Sequence, residues 1–249
     1  MRSAAALLVL AVLAGSCGGT DPAEATTPIT VFAAASLTGA FTQIADDYEG
    51  LHDVEIRLSF GSSDGLATQI QEGAPAAVFA SASPKWMDSV EEDPGVTDRA
   101  DFARNVLVVI VPAGNPAGLA SIDDLAKPGI KLVLAAEGVP VGDYAREMLA
   151  NAGIADEALG NVVSNEDDVK GVVQKVALGE ADAGIVYRTD VTPAVAGDLE
   201  VIDVPDGVNV VAVYPIAAVA GAPASAREFV AYVLGPGQET LEAAGFLPP

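Results

Sequence analysis

From residue 28 onward, short apolar runs alternate with amphipathic stretches, the pattern of an α/β protein whose strands feed helices that pack back on a sheet. Runs at 29–33, 54–60, 77–80, 105–111, 132–135, 184–187 and 208–219 read as strands. Phe41, Ile44, Ala45 and Tyr48 recur at helical spacing, as do Val169, Val172, Val173, Val176 and Ala177, so each set forms one apolar helix face. Shorter helices are predicted over 66–71, 85–91, 144–151, 226–234 and 237–244, and Gly50, Gly73, Gly153, Gly179 and Gly245 stand where helices end. The runs at 105–111 and 208–219 are the longest, and Pro112 and Pro215 must end or bend their pairing because proline has no N–H for the ladder.

The first residues follow a different pattern. Arg2 precedes an apolar run over 4–14, too short to span a bilayer as a mature helix but suited to the core of a secretory signal. Leu13-Ala14-Gly15-Ser16-Cys17-Gly18 resembles a bacterial lipobox, although the leucine stands one place further from the cysteine than usual. This predicts a signal peptide over 1–16, a lipid on Cys17 and a polar tether over 17–27, placing the protein outside the cytoplasm on the cell membrane; the alternative is a plain signal cut nearby. Cys17 is the only cysteine of the 249 residues, so no intramolecular disulfide can form.

Charge narrows the partners. With 12 Lys and Arg against 35 Asp and Glu the net charge is −23, and such a field repels nucleic acid and acidic lipid. Any anion must therefore be held by local dipoles. Four loops offer them: AAASL at 33–37, FGSSDGL at 60–66, GVPVGDYA at 138–145 and NEDDVK at 165–170 each set small or hydroxyl residues at a strand end where a helix begins. Any one alone reads as simple capping. Four in one α/β chain point to a ligand site, because such folds bind at the carboxyl ends of strands.

Together with EGAPAAVFASASPKWMD (72–88), NVLVVIVP (105–112), EDDVKGVVQKVALGEADAGIVY (166–187), YPIAAV (214–219) and Gly245-Phe246, these segments resemble the periplasmic molybdate-binding proteins of bacterial molybdate ABC importers. The resemblance implies a type II periplasmic-binding-protein fold, two α/β lobes joined by two crossing hinge strands, with 28–108 and 213–249 as lobe one and 109–212 as lobe two. It implies molybdate, and tungstate with it, as the ligand, the importer's permease as a partner, a monomer, and no cofactor, resident metal or catalysis. Position by position it assigns the oxyanion to Ser36, Ser63, Val141, Val169 and Tyr187. Three residues depart from the family pattern: Asp64 where a small hydroxyl or glycine is common, Val141 for alanine, and Ala77 for aspartate. Asp64 matters most, since a carboxylate beside a dianion repels it unless it points away or is protonated.

Rival readings stay open at this point. Sulfate or phosphate would use similar donors, and Asp64 could accept a phosphate proton. Ser36 or Ser63 could be a nucleophile, but the single histidine, His52, lies beside Asp53 in a polar turn, and the one lysine within the four loops, Lys170, lies one turn into a helix. Tyr187 could be a core aromatic. Lys85-Trp86-Met87 reads as a helix beginning after Pro84 with one buried aromatic.

Overall fold

The computed structural model describes residues 28–249, so the signal, Cys17 and the tether lie outside the described residues. Its strands are β1 (Ile29–Ala34), β2 (Ile56–Gly61), β3 (Val78–Ala80), β4 (Val96–Pro112), β5 (Leu132–Ala135), β6 (Val162–Glu166), β7 (Ala183–Tyr187), β8 (Leu199–Asp203) and β9 (Val211–Val219). The helices are α1 (Thr38–Glu49), α2 (Ser63–Gln71), α3 (Pro84–Glu92), α4 (Pro140–Asn151), α5 (Ala155–Gly160), α6 (Val169–Ala177), α7 (Ala224–Leu234) and α8 (Gln238–Ala243). Strand order is β2-β1-β3-β9-β4-β7-β5-β6, with β8 also on β4. β1 is parallel to β2 and β3, and β5 is parallel to β6 and β7, so two α/β units meet through the long strand β4.

β4 explains the division. Up to Val106 it pairs antiparallel with β9; from Leu107 it pairs with β7, and from Val108 also with β8. Its first half has one strand neighbour and is polar, with Asp98 and Asp101 exposed and Arg99 half-buried. Its second half lies between two strands, and Leu107, Val108, Val109, Ile110 and Val111 are fully buried. Only that half carries the continuous apolar run of a strand covered on both faces. The chain returns to the first unit through 204–210, so β4 and the segment entering β9 are the two crossings.

Each α/β unit is packed from both sides. In β1, Val31 and Ala33 face a core with Phe41, Ile44, Tyr48 and Phe229, while Phe32 faces Leu66, Ile70, Phe79 and Met87 beneath α2 and α3. The apolar face predicted for α1 is the one it buries, Phe41, Ile44, Ala45 and Tyr48, and α6 likewise buries Val169, Val172, Val173 and Val176. At Gly184 on β7 a Cβ would lie 2.7 Å from Val172 Cγ1, so glycine allows α6 to sit directly on the sheet.

Several expectations need correction. β4 starts nine residues before the apolar run at 105–111, and α4 starts at Pro140, ahead of the predicted 144. β6, β8 and α5 have no counterpart among the predicted elements. β6 lies at a sheet edge and β8 pairs only with β4, and edge strands alternate or carry charge rather than forming apolar runs. Pro112 ends β4, but β9 continues through Pro215, and β4 absorbs the missing N–H by shifting register on both sides, between Thr97 and Ala100 and between Asp101 and Ala103. Gly73, Gly153, Gly179 and Gly245 adopt positive φ at helix ends, whereas Gly50 stays right-handed.

Candidate functional site

The carboxyl ends of β1, β2, β3, β5, β6 and β7 converge on one cavity. Ser36, Ser63, Val141, Val169 and Tyr187 all line it, with Ala34, Ala35, Gly61, Ser62, Ala82, Val139, Pro140 and Asp168. Its interior offers about 20 Å³ to the centre of a water-sized sphere, room for a water or a small ion. An organic ligand of ordinary size needs several hundred cubic ångströms. No Lys or Arg is on the wall.

Helix starts supply the polarity. Val141 lies in the first turn of α4 and Ser63 opens α2, and neither helix has a side-chain cap. The 3-10 turn Ala35–Leu37 that carries Ser36 is also uncapped. A capping serine would accept an N–H from its own helix. Instead, the Ser63 hydroxyl accepts the backbone N–H of Ala82 at 3.0 Å, which leaves its own proton free to donate. Ser81 stiffens that loop, donating to Ser83 O at 2.7 Å and accepting Ser83 N at 3.1 Å. Simple capping holds for one of the four loops: Asp168 Oδ1 accepts Lys170 N and Gly171 N at 2.8 and 3.1 Å, and Val169 precedes both.

Gly142 sets the approach of α4. A Cβ there would stand 2.2 Å from Ala136 O and 2.5 Å from Ala135 O, so any larger residue would push the helix start off the end of β5. This is the physical content of the glycine in Val139-Pro140-Val141-Gly142, and it fixes where the Val141 N–H sits.

The hydroxyls form a buried series. Ser36 Oγ lies 3.1 Å from the Tyr214 hydroxyl, and the Tyr187 and Tyr214 rings meet edge to face at 5.7 Å. Tyr187 is 1% exposed, and among the described residues its hydroxyl makes no hydrogen bond of acceptable geometry. Burial, with smaller contributions from Tyr214, Tyr144 and Asp190, raises the Tyr187 pKa well above that of a free phenol, so the group remains an O–H donor. Behind it Asp190 Oδ2 accepts the Tyr187 N–H at 3.2 Å and Oδ1 accepts from Lys170 Nζ at 3.3 Å. Burial pushes the Asp190 pKa up to about 6, with Lys170 pulling the other way.

Asp64 is not on the cavity wall; it sits in the first turn of α2, and its Oδ1 is buried without a partner among the described residues. His52 stacks on Tyr48 at 4.2 Å and does not line the cavity. Neither serine is hydrogen-bonded to a base: their partners are a phenol and a backbone N–H. Among the described residues no group of three His, Cys, Asp or Glu side chains could hold a metal, and no helix is long and apolar enough to cross a membrane.

Sequence reasoning passed over three contributors. Tyr214, which holds Ser36, lies in the quoted YPIAAV segment, and its signal was a hydroxyl inside an otherwise apolar strand. The Ala82 N–H and the Asp190 carboxylate left no comparable mark. The reading of Lys85-Trp86-Met87 also needs correction: α3 does start at Pro84, but the buried side chain is Met87, while Trp86 is half-buried and donates from Nε1 to Gly138 O at 2.8 Å.

Comparison with known proteins agrees with this architecture. Residues 29–247 match the family model for bacterial extracellular solute-binding proteins. A protein of Mycobacterium tuberculosis named molybdate-binding protein ModA is 39% identical over 98% of this chain and 95% of its own length. The Escherichia coli protein of that name is 37% identical over 84% of each chain. The structure of the Azotobacter vinelandii periplasmic molybdate-binding protein superposes with a TM-score of 0.77 at 24% identity, covering 89% of this chain and 99% of that one. A fold of two α/β units joined by crossing strands, with a solute-sized cavity where the strand ends converge, and full-length relatives of the same kind lead to one assignment: the chain belongs to the bacterial extracellular solute-binding protein family.

Proposed function

We propose that the mature chain is an extracytoplasmic, lipid-anchored protein that captures molybdate, and tungstate with it, between two lobes and delivers it to the permease of an ABC importer. One observation carries the reading: Ser36, Ser63, Val141, Val169 and Tyr187 surround a single ion-sized space, and the Tyr187 hydroxyl makes no hydrogen bond of acceptable geometry among the described residues. A buried hydroxyl left unpaired costs about 1–3 kcal/mol, which an oxyanion accepting that proton would recover. Uncapped helix starts add N–H donors and the positive end of the dipole, so a dianion can be held without a cationic side chain. Full-length relatives that carry the name molybdate-binding protein support the choice of ion.

The lobes are taken as 28–108 with 213–249 and 109–212, a division supported by the passage of β4 from β9 to β7 at Val106 and Leu107. Ser36 and Ser63 then belong to one lobe and Val141, Val169 and Tyr187 to the other. An ion touching both sets favours the closed form, because only there are all donors satisfied at once. Closure is the signal a permease can read.

Charge state and size favour molybdate over its rivals in this reading. Phosphate at neutral pH carries a proton that needs an acceptor. Asp168, the carboxylate on the wall, uses Oδ1 to cap α6, so Oδ2 is the acceptor a phosphate proton would need, and Asp64 is not on the wall. Sulfate has shorter bonds to oxygen, so it would need its donors closer together than molybdate does. The anchor at Cys17 rests on the sequence alone.

Thermal unfolding of the mature chain tests the reading. An ion at about 100 times its dissociation constant adds about 2.7 kcal/mol, and so about 5–10 °C in a domain of this size. Molybdate is expected to give that rise and equimolar chloride none; no rise with molybdate would overturn the reading.

A further inference from the structure

One set of contacts beside the cavity has no part in holding the ion and yet joins the two lobes. Ala82 is on the cavity wall, and α3 follows at Pro84, so Lys85 and Trp86 stand in its first turn on the rim of lobe one. Opposite them Gly138 directly precedes Val139, Pro140 and Val141, which form the wall on lobe two. Trp86 Nε1 donates to Gly138 O at 2.8 Å. Asp143 accepts the Gly138 N–H with Oδ1 at 2.8 Å and Lys85 Nζ with Oδ2 at 3.1 Å. The Lys85 ammonium lies 4.8 Å from the centre of the Trp86 ring, which closes the circuit.

Each partner is tied to its own lobe. Trp86 packs against the Phe32, Leu66, Phe79 and Met87 cluster of lobe one, so only its polar edge reaches across. Asp143 is held in the first turn of α4, the helix whose start presents Val141. Moving 138–143 away from α3 breaks the indole hydrogen bond and the ion pair together.

We propose that Lys85 and Trp86 of lobe one clasp Gly138 and Asp143 of lobe two, and that this clasp sets how long the closed cleft retains its oxyanion. The proposal rests on the reading of the cavity as an oxyanion site between lobes. Contacts made only in the closed form lower its free energy relative to the open one. Release requires opening, so weakening the clasp speeds dissociation; capture begins from the open form and is little changed. Trp86→Phe removes the N–H donor and keeps a ring, and is expected to speed release about 3- to 10-fold. Lys85→Met removes an exposed ion pair and is expected to give about 2- to 5-fold.

The test loads the mature chain with molybdate, chases with excess tungstate, and follows the molybdenum retained after rapid desalting. Calorimetric affinity for molybdate then gives the association rate as the ratio. Faster release with an association rate within about twofold of wild type supports the clasp. Unchanged release in both variants, or a change confined to association, overturns it. Trp86 is the only tryptophan, so a second readout is available: in the molybdate-loaded chain Asp143→Asn must raise acrylamide quenching of Trp86 fluorescence, and unchanged quenching overturns the clasp. If the wild-type chain binds no molybdate, the oxyanion reading fails and the clasp, which rests on it, fails with it; unchanged release in variants of a chain that does bind overturns the clasp alone.

Discussion

Tyr187→Phe separates a ligand-binding phenol from a core aromatic, because the two roles predict opposite signs in the ligand-free protein. The ring is 1% exposed and packs edge to face on Tyr214 at 5.7 Å, and phenylalanine keeps those contacts. What is lost is a buried hydroxyl that makes no hydrogen bond of acceptable geometry among the described residues, and leaving such a group unpaired costs about 1–3 kcal/mol. The ligand-free variant is therefore expected to be more stable than wild type by at least about 1 kcal/mol, or about 2–4 °C. With molybdate the sign reverses. The phenol, kept protonated by its burial, donates to a dianion, and such a bond contributes about 1.5–3 kcal/mol, so affinity should fall about 10- to 150-fold. Urea unfolding with and without saturating molybdate measures both signs, and calorimetry gives the affinity. A variant destabilised without ligand by more than about 1 kcal/mol, yet binding molybdate within about threefold of wild type, would refute the reasoning.

Other residues give further outcomes. Ser63→Ala strips the Ala82 N–H of its partner as well as a donor from the cavity, so it should weaken molybdate binding by about 1.5–3 kcal/mol and also lower ligand-free stability by about 1 kcal/mol; Ser36→Ala should give a similar binding loss, both read by calorimetry and urea unfolding. Asp64→Asn should change affinity by less than about tenfold, since Asp64 is off the wall; a hundredfold gain would place its charge beside the anion. Asp190 titrates near 6 when folded, above its ordinary 3.8, so its contribution is fully present below about pH 4 and is lost as pH rises through 6. Wild-type stability relative to Asp190→Asn should therefore fall as pH rises from 4 to 7, and a difference that stays flat in urea unfolding would refute the assignment.

Legibility in the sequence followed burial. Strands covered on both faces, such as the second half of β4, announce themselves as apolar runs, and helices lying on a sheet, such as α1 and α6, as helical stripes. Edge elements were silent for the same reason: β6 alternates between exposed and half-buried positions, and the first half of β4 is charged because one strand neighbour leaves it partly in water. The loops around the cavity could be read as helix starts, but not as uncapped ones. Whether Ser63 caps α2 or accepts the Ala82 N–H depends on a residue 19 positions away. Tyr214 and Ser36 are 178 apart, and the Trp86 contact with Gly138 spans 52; no local pattern encodes such pairs. Lys85-Trp86-Met87 reads in sequence as a helix beginning after Pro84 with one buried aromatic, and the one mark against burial of Trp86 is that an indole N–H needs a partner.

The central claim is that this cavity is built for a tetrahedral oxyanion of molybdate's size, held by neutral donors. Isothermal titration of the mature chain with molybdate, tungstate, sulfate and phosphate tests it most directly. The account predicts one ion per chain, with molybdate and tungstate bound at least about tenfold more tightly than the other two, a difference of about 1.4 kcal/mol. Sulfate or phosphate binding more tightly than molybdate would contradict it.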